Sequence, residues 1–342
     1  MSLSPFLKTL HANQDLSQAD MRAAMSMIME GQINDTQLID FLTTLAQKGE
    51  TATEITGAAS IMREKALEIN APSHAIDCCG TGGDASGTYN ISSTVAIIAA
   101  ACGIPIAKHG NRSASSKSGA ADVLEALGMN LNASTEILEN SLRHYNYAFL
   151  MAPKHHGAMK HVASARKAIG KRTIFNLLGP LANPAKTQRQ LIGVFSPKWI
   201  TPIAETLHNL GTEKAWVVHG HFSPQGGLDE ISTTGATQIA ILEHGAITKR
   251  TLIPDDFGLP TTQPEELIGG DAQHNAQALR ALLEGKPSAY RDITLANTSA
   301  VLNIADKADT LKQGVDIAAK AIDNGDALKT LNAVIKYTQE PS

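Results

Sequence analysis

The sequence predicts an α/β protein: a small all-helical domain, then a larger domain with a mostly parallel sheet flanked by helices. Three observations carry this. Residues 1 to about 70 show only helical periodicity. From residue 74 onward, apolar runs of strand length alternate with segments of helical length, the rhythm of parallel strands joined by crossovers. The first crossover opens on Gly80-Thr81-Gly82-Gly83-Asp84-Ala85-Ser86-Gly87, four glycines in eight positions.

In the N-terminal part, Met21, Ala24, Met25 and Ile28 recur at i, i+3, i+4, i+7, as do Leu38, Phe41, Leu42 and Leu45. Ile55, Ala58, Ala59 and Met62 form a third set, and Thr51 with Glu54 has capping-box spacing. Gly31 and Gly49 supply stops. Such short amphipathic helices need partners for their apolar sides. A self-contained bundle and one shared with a second subunit satisfy that need equally.

Ala75–Cys79 reads as a buried strand, and the residues from Thr94 to Ala101 as a helix closed by Gly103. A strand follows at Ile104–Ala107, then a polar segment from Lys108 to Ser116, helices to Leu127 and from Ser134 to His144, and a strand at Tyr147–Met151. His156–Ile169 and Thr173–Leu178 read as helices, Leu191–Phe195 and Ala215–Val218 as strands, with a helix at Ile200–Leu210 between them. Two apolar runs around His244-Gly245 predict an edge hairpin, and residues 271 to 338 are mostly helical.

Strand, glycine loop, helix is an order that aims backbone N–H groups at an anion, usually a phosphate. The spacing is neither G-x-G-x-x-G nor G-x-x-x-x-G-K-[ST], so dinucleotide and Walker readings lose their specific support. Asp84 would repel a phosphate unless a cation or ligand hydroxyl stood between them. The loop therefore predicts a phosphorylated, hydroxyl-bearing ligand with Mg2+. Lys108, His109, Asn111 and Arg112 form a cation-rich segment beside it, with Ser113, Ser115 and Ser116 as further donors. A third loop, from His219 to Thr234, carries Asp229-Glu230, which could point at two cations or hold one from two sides. Asp255-Asp256, with no glycine loop near it, reads as surface. Arg166 reads by itself as part of a solvated helix face. His155, His156 and His161 do not align on one helical face as zinc ligands, and His219 with His221 lacks a nearby third ligand.

A net charge of −4 and 4% aromatic residues argue against a nucleic-acid partner. Three cysteines, two of them adjacent, make no disulfide framework. Neither a secretory pattern at the N-terminus nor a membrane span is seen, and a cytoplasmic protein is expected.

Gly80-Thr81-Gly82-Gly83-Asp84, Asn90-Ile91-Ser92-Ser93, Lys108-His109-Gly110-Asn111-Arg112, the run from Phe175 to Pro184 and Leu228-Asp229-Glu230 together resemble the anthranilate phosphoribosyltransferases of tryptophan biosynthesis. The motifs occur in that family's order over nearly the whole chain, although Ser93 stands where the family usually has Thr. The resemblance implies transfer of phosphoribosyl from 5-phosphoribosyl 1-diphosphate to anthranilate. It implies a helical domain of residues 1–72 completed by roughly 156–180, a large domain of 73–155 and 181–342, and homodimerisation through the helices. The donor would lie on Gly80, Gly83, Asp84, Thr88, Asn90, Ile91, Ser92, Ser93, Lys108, His109, Gly110, Asn111, Arg112, Ser113, Ala114, Ser115, Ser116 and Ala120. Ser92, Asp229 and Glu230 would hold Mg2+, two ions per subunit. Gly80, Asn111 and Arg166 would contact anthranilate, with His156 nearby. Lys108, His109 and Arg166 would act by positioning and electrostatics, with no protein nucleophile. The alternatives are a pyrimidine nucleoside phosphorylase-like enzyme and a non-catalytic anion-binding regulator.

Overall fold

The computed structural model describes residues 2–113, 117–222 and 226–340. Helices Ser4–His11, Gln18–Met29, Asp35–Lys48 and Ala52–Glu64 form the N-terminal bundle. Their starts follow the local sequence: Ser17, Asn34 and Thr51 each accept a first-turn N–H, and Thr51 closes the expected capping box with Glu54. Glu54 is fully buried, yet Lys48 and the Leu16 N–H bond its carboxylate at 3.0 and 2.9 Å, so its charge is partnered.

Among the described residues, eight strands make one sheet: β1 Ile76–Gly80, β2 Ile106–Gly110, β3 Tyr147–Met151, β4 Arg189–Gly193, β5 Lys214–Phe222, β6 Gly226–Leu228, β7 Thr237–Glu243 and β8 Ala246–Leu252. Their order is β3-β2-β1-β4-β5-β7-β8, with β6 beside β5. β1 to β5 are parallel, while β6, β7 and β8 run antiparallel to their neighbours. The chain lays β2 and β3 to one side of β1 and then returns to place β4 on the other. That reversal opens a crevice at the carboxyl ends of β1 and β4, where α/β sheets bind ligands. The β7–β8 hairpin turns through His244 (φ 52°) and Gly245 (φ 74°), both in the left-handed region that short hairpin turns use.

Each sheet face has its own core. Ile192, Val194, Ala215, Val217, Ala240 and Leu242 face the N-terminal bundle, which also packs with Val162, Ala165, Phe175, Leu177 and Leu178. The opposite face packs on the apolar helix Ile91–Ala101 and on Ala289–Ile304. Each fully buried Leu, Ile or Val contributes roughly 1.5–3 kcal/mol. Among the described residues, no helix is long and apolar enough to cross a membrane.

Three sequence expectations shift. β2 begins two residues later than expected and runs through Gly110, so Lys108 and His109 belong to a strand and not to an exposed loop. They are 1% and 5% exposed, because β3 pairs with β2 along its whole length and β1 lies on its other side. The helix expected over His156–Ile169 is broken into a short turn at Ala152–His155, a 3₁₀ turn at Gly157–His161 and a helix at Ala163–Ile169. His156 leaves helical geometry (φ −118°, ψ 57°) and turns its ring against His109, 5.1 Å between centroids. Finally, His219 and His221 lie on β5 and Gly226–Leu228 forms β6, so among the described residues the irregular part of the third loop begins at Asp229.

Candidate active site

The glycine loop leaves β1 with positive φ at Gly82, Gly83, Ala85 and Gly87. For Ala85 this conformation costs about 1 kcal/mol, and such alternation gathers N–H groups on one concave side. Across the crevice, Gly80 and Gly193 are register partners at the ends of β1 and β4, and Asp229 rests on both. A Cβ on Gly80 would lie 2.1 Å from the Asp229 carboxylate, and one on Gly193 1.5 Å from its carbonyl oxygen. Glycine is needed here for close approach.

The acidic doublet thus enters the loop from far along the chain. The Gly82 N–H donates to Asp229 Oδ2 at 2.7 Å, and the first-turn N–H of Ser92 donates to Glu230 Oε1 at 3.1 Å. Asp84 Oδ1 accepts the Ser86 N–H at 3.1 Å, and its Oδ2 faces the Asp229 N–H at 3.4 Å. Burial pushes Asp229 up to about 7, with the Asp84 charge adding to it, and pushes Glu230 up to about 8, with the Asp229 charge adding. Three half-buried carboxylates drawn together make each harder to ionise, and Lys108 offsets part of this for Glu230. Among the described residues, no three His, Cys, Asp or Glu side chains cage an ion alone. A cation here would complete its shell with ligand oxygens, the habit of Mg2+, and the hard oxygens of Ser92, Asp229 and Glu230 suit it.

Lys108 reaches the same place from below. Its Nζ donates to the Cys78 carbonyl at 2.6 Å and to Ser92 Oγ at 3.2 Å. Asn90 is held by the Asn275 amide at 2.9 Å and itself donates to the Ser118 carbonyl at 3.2 Å. Thr88 pairs with Ile268, and the Gly269 N–H bonds the Gly87 carbonyl, so a later segment clasps the far end of the loop. Ile91 and Ser93 point into the core, where Ser93 Oγ is buried with no partner among the described residues. Gly110 abuts Phe149, and Asn111 is exposed beyond the strand end. The Arg112 side chain turns away from the loop to pair with Asp122 and Glu125 at 2.9 and 2.8 Å. Asp122 also accepts the N–H groups of Ser113 and Gly119, next to the half-buried Ala120. Ala114, Ser115 and Ser116 lie outside the described residues.

The other wall is the stretch from Arg166 to Gly179. His109 Nδ1 is 3.0 Å from the Gly179 carbonyl, which assigns the proton to Nδ1 and leaves a lone pair on the buried Nε2. Burial, aided by the neighbouring His156, lowers His109 to about 3, so the ring is neutral near pH 7. Arg166 is half-buried with its guanidinium 5.6 Å from the Phe175 ring centroid, and burial lowers its pKa. No carboxylate among the described residues pairs with it. At the start of this wall stands a residue that sequence reasoning missed. Arg172 lies 4.1 Å over the Phe195 ring and donates to the Gly83 carbonyl. Its sequence signal, one of two adjacent basic residues in Lys171-Arg172-Thr173, was indistinguishable from a solvated turn.

A hollow of about 770 Å³ on the β5–β8 side, lined by His219, His221, Gln238 and Lys249 among others, includes neither the glycine loop nor Arg166. His219 Nδ1 is engaged by the Val194 carbonyl at 2.7 Å. The convergence of carboxylates, Lys108 and loop N–H groups marks the crevice as the chemical centre instead.

Comparison with known proteins adds the following. Residues 4–66 match the helical bundle domain of a glycosyl transferase family, and residues 72–328 match its a/b domain. The anthranilate phosphoribosyltransferase of Rhodospirillum rubrum is 52% identical over 96% of this chain and 93% of its own length. That of Brucella suis is 47% identical over 99% and 98%. Among solved structures, the Thermus thermophilus anthranilate phosphoribosyltransferase superposes with a TM-score of 0.91 at 36% identity, covering 98% of this chain and 99% of that one. The Saccharomyces cerevisiae enzyme in complex with PRPP and Mg gives 0.88 at 27% identity, covering 98% and 97%.

Proposed function

The chain belongs to the anthranilate phosphoribosyltransferase family, and from that premise we infer how its residues divide the work of the reaction. It is a transferase that moves the phosphoribosyl group of 5-phosphoribosyl 1-diphosphate to the amine of anthranilate. The products are N-(5-phosphoribosyl)anthranilate and diphosphate. The observation that supports this most directly is the meeting of Asp229 and Glu230 with the glycine loop at the ends of β1 and β4.

In this reading the donor's diphosphate lies against the N–H groups of Gly80, Gly83 and Asp84. Thr88 and the helix start at Asn90, Ile91, Ser92 and Ser93 complete the cradle, the last by main chain because its hydroxyl is turned inward. The segment from Lys108 to Ser116, with Ala120, covers the donor, while the Arg112 guanidinium is held by Asp122 and Glu125. Ser92, Asp229 and Glu230 hold Mg2+, two ions per subunit, and Mg2+ neutralises diphosphate charge when bound. Lys108 adds a fixed positive charge on the leaving side of the ribose carbon.

Anthranilate sits on the other side, between Gly80, Asn111 and Arg166. Arg166 has the planar fork that a carboxylate accepts, and no carboxylate among the described residues pairs with it. Neutral His109 lies nearby and acts by positioning, and a strong base is unnecessary because an aromatic amine is already uncharged near pH 7. Catalysis then rests on alignment and on charge placed where the leaving group develops it. Residues 1–72 with 156–180 form the helical domain, through which two cytoplasmic copies dimerise.

The test is the loss of anthranilate fluorescence with phosphoribosyl diphosphate and Mg2+. Arg166→Ala is expected to raise the anthranilate KM by about tenfold or more while leaving the donor KM near its parent value. Equal losses for both substrates would remove Arg166 from the acceptor site.

A further inference from the structure

Arg172 is the cation nearest the glycine loop that the assignments above leave without a task. It is exposed, its guanidinium lies 4.1 Å over the Phe195 ring, and it donates to the Gly83 carbonyl. No carboxylate pairs with it among the described residues. Asp84, its neighbour across one peptide, is turned instead toward the N–H groups of Ser86 and Asp229. The loop in turn leaves room for it: a Cβ built on Gly83 would meet the guanidinium at 3.7 Å, an ordinary contact, and the positive φ of 74° favours glycine there. Phe195 is itself fixed to the loop, because its N–H donates to Thr81 Oγ1 at 3.0 Å. Arg172 is therefore preorganised by a ring and a carbonyl that both belong to the loop's own surroundings.

Resting on the transferase reading, we propose that Arg172 is a second anion-binding residue of the donor site. It holds the diphosphate from the side opposite Asp229 and Glu230, exchanging the Gly83 carbonyl for a diphosphate oxygen. Several features favour an anion over a purely structural strut. A neutral carbonyl satisfies only part of a guanidinium's five donors, whereas a diphosphate can accept two in parallel. Stacking on Phe195 fixes the plane of the fork while leaving its edge toward the loop. The residue also comes from the far wall, so it reaches the anion from outside, where the loop N–H groups cannot.

The probe is inorganic diphosphate with Mg2+, titrated calorimetrically into the full chain, alongside steady-state kinetics. For Arg172→Ala the expected result is about tenfold or more weaker diphosphate binding and a parallel rise in the donor KM. The anthranilate KM and the melting temperature should stay near parent values. Arg172→Lys should recover part of the diphosphate affinity, since it keeps the charge while losing the fork. Unchanged diphosphate affinity in Arg172→Ala, or equal impairment by Ala and Lys, would overturn the assignment and leave a strut. If the parent binds diphosphate but does not consume anthranilate, the transferase reading falls and the anion-site assignment is still judged by the titrations.

Discussion

Two acidic doublets stand in this chain, Asp229-Glu230 and Asp255-Asp256, and their fates diverge. The first is half-buried against two strand-end glycines, and the loss of water raises both of its carboxyls. The second caps a 3₁₀ turn, Pro254–Phe257, in solvent, where Asp256 accepts the Ile253 N–H at 2.8 Å. The residue types are nearly the same. What differs is the company: three carboxylates and a lysine in a half-buried crevice invite a cation and a charged ligand, while an exposed capping carboxylate is satisfied by one N–H and water.

The comparison can be broken most forcefully by neutralising each pair. Asp229→Asn with Glu230→Gln is expected to lower kcat by about 10²–10³-fold, whereas Asp255→Asn with Asp256→Gln should stay near parent activity in the same fluorescence assay. A smaller effect should follow from crowding the seat of the first doublet. Gly193→Ala would drive a methyl into the Asp229 carbonyl, and overpacking of this kind costs about 1–3 kcal/mol, read as a lower denaturation midpoint.

The smallest effect extends the contrast to histidine. His109 and His156 are buried and lowered from 6.5 to about 3 and about 4, chiefly by desolvation, while His244 is exposed in the hairpin turn. Below pH 6.5 the unfolded chain takes up protons that these two buried rings refuse. Their contribution is thus complete above that pH and is lost as the pH falls toward 4 and then 3. His109→Gln with His156→Gln should flatten the acid limb of a stability–pH curve by on the order of 1 kcal/mol or more, and His244→Gln should leave it unchanged.

Much of this architecture was legible along the chain. The capping box at Thr51, the stop at Gly103, the hairpin at His244-Gly245 and the strand–loop–helix order around Gly80 are each written within a few neighbouring residues. Less was legible at the site. The polarity of Lys108 and His109 suggested a loop, but two flanking strands extended β2 over them and supplied the Cys78 carbonyl and Asp77 carboxylate that make their burial tolerable. Arg166 looked like a solvated helix position until Phe175 was brought beside it, and Arg172 drew no reading until Phe195 was brought beneath it.

Backbone conformation and helix ends depend on contacts within about one turn, so residue order alone specified most of the elements and the glycine-rich turn between β1 and its helix. Which groups meet in the crevice depended on strand order: the reversal that sets β4 beside β1 lets Asp229 sit on Gly80, 149 positions away by subtraction of their numbers. No local preference encodes that encounter. It exists because one packing of the sheet buries both apolar faces at once, and the acidic doublet, the lysine and the arginine wall are carried to their places by that packing.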